Sequence, residues 1–153
     1  FLFTVLLDLD SGKKIVSNVK EMARGTYGRN IDLFTTTYVV CRPTMKEAQE
    51  YHHYYAFENA DTEAVDRLMS LMGMLTHSFP RDQIDSLKLQ FAAGHGVYPL
   101  VGNPDFICKE IEKIAASGFS GASLAFVDYL TELPFFGEEV LPRLEAKGIR
   151  LKI

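Results

Sequence analysis

Apolar positions along the chain switch between distinct spacings, and each spacing predicts an element. Phe1-Leu2-Phe3-Thr4-Val5-Leu6-Leu7 is an almost unbroken apolar run, the pattern of a strand buried on both faces. The polar stretch Asp8 to Gly12 predicts a turn. Ile15, Val16, Val19, Met22 and Ala23 then recur at helical spacing between Lys13, Lys14, Lys20 and Glu21, and Gly25 and Gly28 predict the stop. Ile31 to Cys41 is rich in β-branched and aromatic residues and predicts a second strand. Arg42-Pro43-Thr44 breaks it. Thr44 with Glu47 three residues on has the form of a capping box, opening a helix from Met45 into Ala56.

Further helices are predicted from Asp61 to about Leu75 and, after Pro80, from Arg81 to Ala92. Gly-rich Ala93 to Pro99, with His95 and Tyr98, predicts a loop. Asn103 as cap and Pro104 in the first turn start a helix whose buried stripe is Phe106, Ile107, Ile111, Ile114 and Ala115. Ala122 to Val127 is a third strand, and a last helix runs from Glu132 to about Lys147, with Pro142 kinking or shortening it. Strands separated by helices pair in parallel through right-handed crossovers, so the fold class is α/β. Three parallel strands leave edges and apolar faces that a larger sheet would cover. The chain also opens inside a strand-like segment without Met, so it is expected to be a piece of a longer protein.

Composition narrows the function classes. The 153 residues suit one domain, 47% of them are hydrophobic, and the formal net charge is −4. That balance lacks the basic stripe a nucleic-acid binder needs. No apolar run reaches the length of a membrane span, and Phe1–Leu7 has no basic leader or cleavage site. Two cysteines, Cys41 and Cys108, are too few for a disulfide framework, so a reducing cytoplasm is the expected location and both thiols the expected packing residues.

Chemistry in parallel α/β folds gathers just past the carboxyl ends of strands. Phe126, Asp128 and Tyr129 lie there. Asp128 either offers an acceptor to a ligand or caps the following turn, and Tyr129 either donates to that ligand or packs beneath it. His95 in its Gly-bounded loop is either a general acid in a closed site or a solvated loop residue. Asn103 and the backbone N–H groups after it either present a site to an anion at the helix start or serve as a cap alone, and capping accounts for Asn103 without a ligand. Adjacent His52 and His53 within Tyr51-His52-His53-Tyr54-Tyr55 point about 100° apart on a helix and make a poor chelate, so that run predicts an aromatic packing face and no metal. Leu68, Met69, Leu71, Met72, Met74 and Leu75 predict a core or dimer stripe, or a lid over an apolar substrate.

Leu100-Val101-Gly102-Asn103-Pro104, the helix to Ser117, Gly118-Phe119-Ser120-Gly121 and Phe136-Gly137-Glu138-Glu139-Val140-Leu141-Pro142-Arg143-Leu144 together resemble the carboxyl-terminal third of bacterial-luciferase-like flavin monooxygenases. Phe1–Thr4 is similar to that family's sixth barrel strand, and Tyr38–Thr44 with Glu47 and Ala48 fits its next strand and exit. The resemblance implies strands six to eight of a (β/α)8 TIM barrel over residues 1–153, one partial domain with a helical insertion at 44–99. It implies reduced FMN supplied by a separate flavin reductase, molecular oxygen as co-substrate, and transfer of one oxygen atom to a small organic substrate. It also implies that the early-strand flavin contacts and the phosphate-gripping segment precede residue 1, so that this piece alone is inactive. Under it, Phe126 and Tyr98 are expected at the cofactor, His95, Asp128 and Tyr129 at the chemistry, and a homodimer is a possible assembly. Ala125-Phe126-Val127-Asp128-Tyr129 departs from the Ser-Gly-Tyr-Pro-His exit of alkanesulfonate monooxygenases. The alternatives are a deazaflavin-dependent reductase on the same barrel and a non-catalytic α/β fragment or paralogue that has lost its flavin site.

Overall fold

Four parallel strands, with helices on both faces of the sheet, organise the computed structural model, which describes residues 1–74 and 81–151. In chain order the elements are β1 (Leu2–Phe3), α1 (Leu9–Tyr27), β2 (Leu33–Cys41), α2 (Met45–His53) and a π-helical turn at Tyr54–Glu58. After these come α3 (Thr62–Leu71), α4 (Arg81–Gly94), β3 (Tyr98–Gly102), α5 (Pro104–Ala116), β4 (Gly121–Phe126), α6 (Tyr129–Glu139) and α7 (Leu141–Ala146). Leu75 and Pro80, which the sequence places at a helix end and a break, lie outside the described residues.

β2 is the hub. Along one edge it pairs with β4, from Phe34 opposite Gly121 to Val39 opposite Phe126. Its other edge is shared: β1 takes Leu33 and Phe34, and β3 takes Thr37 to Cys41. This sharing explains why the apolar run Phe1–Leu7 yields so short a strand. Leu6 goes instead into the core, fully buried.

Local signals set most element ends. Asp8 caps α1 by accepting from Ser11 N at 2.8 Å, so the expected polar turn at Asp8–Gly12 is a helix start. Gly12 is buried in that helix, and the close approach of the Leu6 side chain leaves no room there for a Cβ. Gly25 lies inside α1, and Gly28, at φ 60, closes it. Thr44 and Glu47 form the capping box at α2, Asp61 caps α3, and Asn103 caps α5 with Pro104 next to it. The expected loop at Ala93–Pro99 is corrected at both ends: α4 continues through Gly94, and Tyr98 already pairs with Thr37. In α5 the buried residues include Ile107, Cys108, Glu110 and Ile114, while Phe106 and Ala115 are exposed. The last helix begins at Tyr129 and breaks at Val140, with Pro142 in the first turn of α7.

Period-two alternation divides β2 between two cores. Leu33, Val39 and Cys41 face α1, α5, α6 and α7, packing with Val16, Ile107, Cys108, Ile114, Phe136, Val140 and Leu144. Tyr38 and Val40 face the other way, against Ala48, Ala56 and Ala93 of α2, the π-helical turn and α4. Both cysteines are buried and unpaired. No described helix is long and apolar enough to cross a membrane.

Candidate functional site

Two crossings lead to the carboxyl ends of β2 and β4, and the residues just beyond them are tied together. Arg42 follows β2. Its Nη2 donates to Glu132 Oε1 at 2.7 Å, its Nη1 to Cys41 O at 3.0 Å, and its guanidinium lies 4.0 Å from the centre of the Tyr51 ring. Glu132, from the first turn of α6, has its side chain 1% exposed. Its Oε2 accepts from Val127 N at 2.9 Å and Asp128 N at 3.0 Å. One buried carboxylate therefore holds the exit of β4 against the exit of β2, with charge and donors matched.

On the inner face of β2, one step before that exit, Tyr38 is opposite Ala125. The small partner leaves room beside the ring, and the phenol oxygen lies 3.0 Å from His52 Nε2 with the rings stacked at an interplanar angle of 6°. Tyr55 stands edge-on to His52 with ring centres 5.6 Å apart and donates its hydroxyl to Ala93 O at 3.1 Å. Gly94 presses against Tyr38: a Cβ there would lie 2.2 Å from Cδ1 of that ring. Tyr38, Tyr55, Ala93, Gly94, Ala125 and Phe126 line a cavity of about 260 Å³ at this end of the sheet. Burial pushes the Tyr38 phenol up to about 12 and raises that of Tyr55 as well, so both stay protonated at neutral pH. Burial, followed by the neighbouring His53, lowers the His52 imidazole and keeps it neutral.

The candidate residues drawn from the sequence fall into three places. Phe126, Asp128 and Tyr129 come together at the end of β4, where the Phe126 and Tyr129 rings meet edge-on at 5.5 Å. The Phe126 ring also packs on Phe136 of the helical layer. Asp128 is the cap of α6: Oδ1 accepts from Leu130 N at 2.9 Å and Oδ2 from Thr131 Oγ1 at 2.6 Å. These bonds, that of Thr131 foremost, hold its carboxyl below the usual range. Tyr98 belongs to the opposite face, donating to Glu110 Oε2 at 2.9 Å, and burial followed by this bond raises its phenol. His95 is exposed at φ 58, its ring 5.8 Å from Phe91, next in sequence to Gly94 on the cavity wall.

The polar side chains on the cavity wall, Tyr38 and Tyr55, and the Arg42–Glu132 pair beyond the strand ends carry no local sequence signal of a site. Alternation in β2 does put Tyr38 and Val39 on opposite faces, and that signal was available. The run Tyr51–Tyr55 forms the aromatic cluster expected of it, with the Tyr51 and Tyr55 rings 5.4 Å apart. Of the apolar stripe in α3 and beyond, Met69 is fully buried, whereas Leu71 and Met72 are exposed.

No family model and no curated protein matches the sequence. Solved structures do match its shape. DmoA from Hyphomicrobium sulfonivorans superposes with a TM-score of 0.77 at 19% identity over 95% of this chain, and the long-chain alkane monooxygenase LadA with 0.74 at 21% over 98%. The riboflavin lyase RcaE, solved with modified FMN and riboflavin, gives 0.75 at 20% over 95%. The chain spans 37% of the length of DmoA and LadA and 38% of RcaE. The parallel strands, their order and these likenesses together establish a partial (β/α)8 barrel of the luciferase-like fold.

Proposed function

We propose that this chain forms part of a flavin-dependent monooxygenase, one that binds FMN delivered reduced by a separate reductase and inserts one atom of molecular oxygen into a small organic substrate. The observation that carries this reading is the cavity at the carboxyl ends of β2 and β4, where parallel α/β barrels keep their chemistry, in a fold shared with LadA and RcaE.

The donor set fits one part of the cofactor. Aromatic and small side chains around Tyr38, Tyr55, Ala93, Gly94 and Ala125 suit an uncharged flat ring. The phosphate end is served poorly, because Arg42, the cation at the end of β2, is committed to Glu132. Bound flavin supplies the redox chemistry. The residues of this chain would pack against the ring through Tyr38, Tyr55 and the end of α4, and Glu132 fixes the rim at Val127 and Asp128. In this reading Tyr129, half exposed beside Phe126, faces the substrate side of the rim.

Flavin fluorescence tests the reading directly. Titrating FMN and riboflavin into the longer protein of which this chain forms part, where the missing strands are supplied, is expected to give saturable quenching. Absence of quenching there into the millimolar range with both flavins overturns the reading.

A further inference from the structure

A second, larger cavity lies in the helical segment between β2 and β3. It measures about 520 Å³, within the size range of small-molecule sites. The π-helical turn at Tyr54–Glu58 supplies one side of it, and turns of this kind are rare and frequent at functional sites. Within the turn, Ala56 joins the core of Tyr38 and Val40, while Phe57 is 66% exposed. The Phe57 ring is held by stacking on His53, with ring centres 4.8 Å apart. Phe57, Ala60, Val65 of α3 and Leu89 of α4 give the wall its apolar character. Ala92 belongs both to this wall and to that of the cavity at the ends of β2 and β4, so the two cavities adjoin.

Charge on the wall is lopsided. Asp66 and Lys88 pair across α3 and α4, Oδ1 to Nζ at 2.6 Å, which commits the lysine. Asp85, exposed on α4, is a second carboxylate of the same wall. Two carboxylates therefore stand against one ammonium. The chain leading to Asp66 adds Glu58, Asp61 and Glu63, and a field of one sign around an apolar hollow concentrates small ions of the other. We propose that this cavity binds a small amphipathic organic cation, an ammonium group on a short apolar body. The body lies among Phe57, Ala60, Val65 and Leu89, and Asp66 and Asp85 hold the ammonium. An anion of the same shape meets two carboxylates with Lys88 already paired, which sets the preference for the cation. Every residue of the site lies between Ala56 and Ala92, and the proposal stands apart from the flavin reading.

The test is calorimetric titration of 2-phenylethylamine, 2-phenylethanol and 3-phenylpropionate into the longer protein of which this chain forms part, at neutral pH. The probes share an apolar body and differ in charge. Saturable binding of the amine is expected, about fivefold tighter than that of the alcohol, the upper worth of an exposed ion pair. The carboxylate is expected to bind more weakly than either, and the margin of amine over alcohol to shrink at molar salt. Asp85→Asn is expected to weaken the amine about threefold and to leave the alcohol within about twofold. Ala60→Leu, which fills the hollow, is expected to weaken both by about tenfold. Absence of saturable amine binding overturns the proposal, and so does an amine that binds no tighter than the alcohol. Amine binding unchanged by Ala60→Leu places the amine elsewhere and overturns it as well. Should Ala60→Leu fail to fold, Asp85→Asn, at the surface of α4, decides the location in its place.

Discussion

Single buried polar groups show where the sheet has satisfied its needs and where it has not. Glu132 accepts three hydrogen bonds and a guanidinium charge with its side chain 1% exposed. Glu132→Ala strands Arg42 and two backbone N–H groups, so a loss of about 3–5 kcal/mol is expected in urea unfolding. Glu132→Gln, which keeps a carbonyl acceptor, is expected to lose markedly less. Thr35 is the reverse case. It is fully buried on the helical face of β2, and its Oγ1 has no hydrogen-bond partner among the described residues. Thr35→Val keeps the shape and removes the orphaned hydroxyl, with an expected gain of about 1 kcal/mol by the same measurement. Replacement that costs stability would show that the hydroxyl is satisfied. His52 adds a pH dependence. Its folded pKa is below the ordinary 6.5, so the unfolded chain binds the proton more readily. Its contribution is therefore complete above 6.5 and is lost as pH falls through and below that value. The urea midpoint of wild type is expected to fall more steeply than that of His52→Gln between about pH 7 and about pH 5.

At the scale of elements, the helix starts carry their own instructions. Asn103 Oδ1 accepts from Phe106 N at 2.9 Å and Pro104 needs no such partner. Asn103→Ala is expected to destabilise by about 1 kcal/mol and Asn103→Asp by almost nothing, read as shifts in the thermal midpoint. Signals of this kind made much of the fold legible: Thr44 with Glu47, Asn103 with Pro104, and the β-branched run of β2 lie within a few residues of what they cause. Elements set by distant partners were not. Tyr98–Gly102 becomes a strand because Thr37–Cys41 offers it an edge, and the neighbouring glycines and Pro99 hide this in the sequence. Phe1–Leu7 is strand-like by composition, yet the same edge leaves it only two residues of β2 to pair with. The site divides likewise. The end of β4 was legible because barrel chemistry follows strand ends. The pairing of Tyr38 with His52, fourteen residues apart, depends on how α2 folds back over the sheet.

At the scale of the whole molecule, the two faces of the sheet are covered unequally. Parallel sheets are ordinarily buried on both faces. Here the outer face is sealed by α1, α5, α6 and α7, and the inner face is covered only near its carboxyl end. Toward the amino end the inner face carries Phe1, Phe3 and Phe34, whose rings meet at 5.6 to 6.1 Å. Phe1 is 86% and Phe3 51% exposed. The neighbouring inner positions, Thr36 and Ser123, bond each other at 2.9 Å and add little polarity. An apolar surface of this kind draws hydrophobic dyes and other molecules. The protein is therefore expected to enhance ANS fluorescence in its folded state, and its sedimentation coefficient is expected to rise with concentration. Replacing Phe1 and Phe3 together by Ser is expected to reduce both effects while leaving the urea midpoint nearly unchanged, because these side chains are exposed and contribute little to the core. A large fall in the midpoint would mean that the rings are part of the packed interior. Unchanged dye binding would place the sticky surface elsewhere, on the exposed Leu130 and Leu133 of α6.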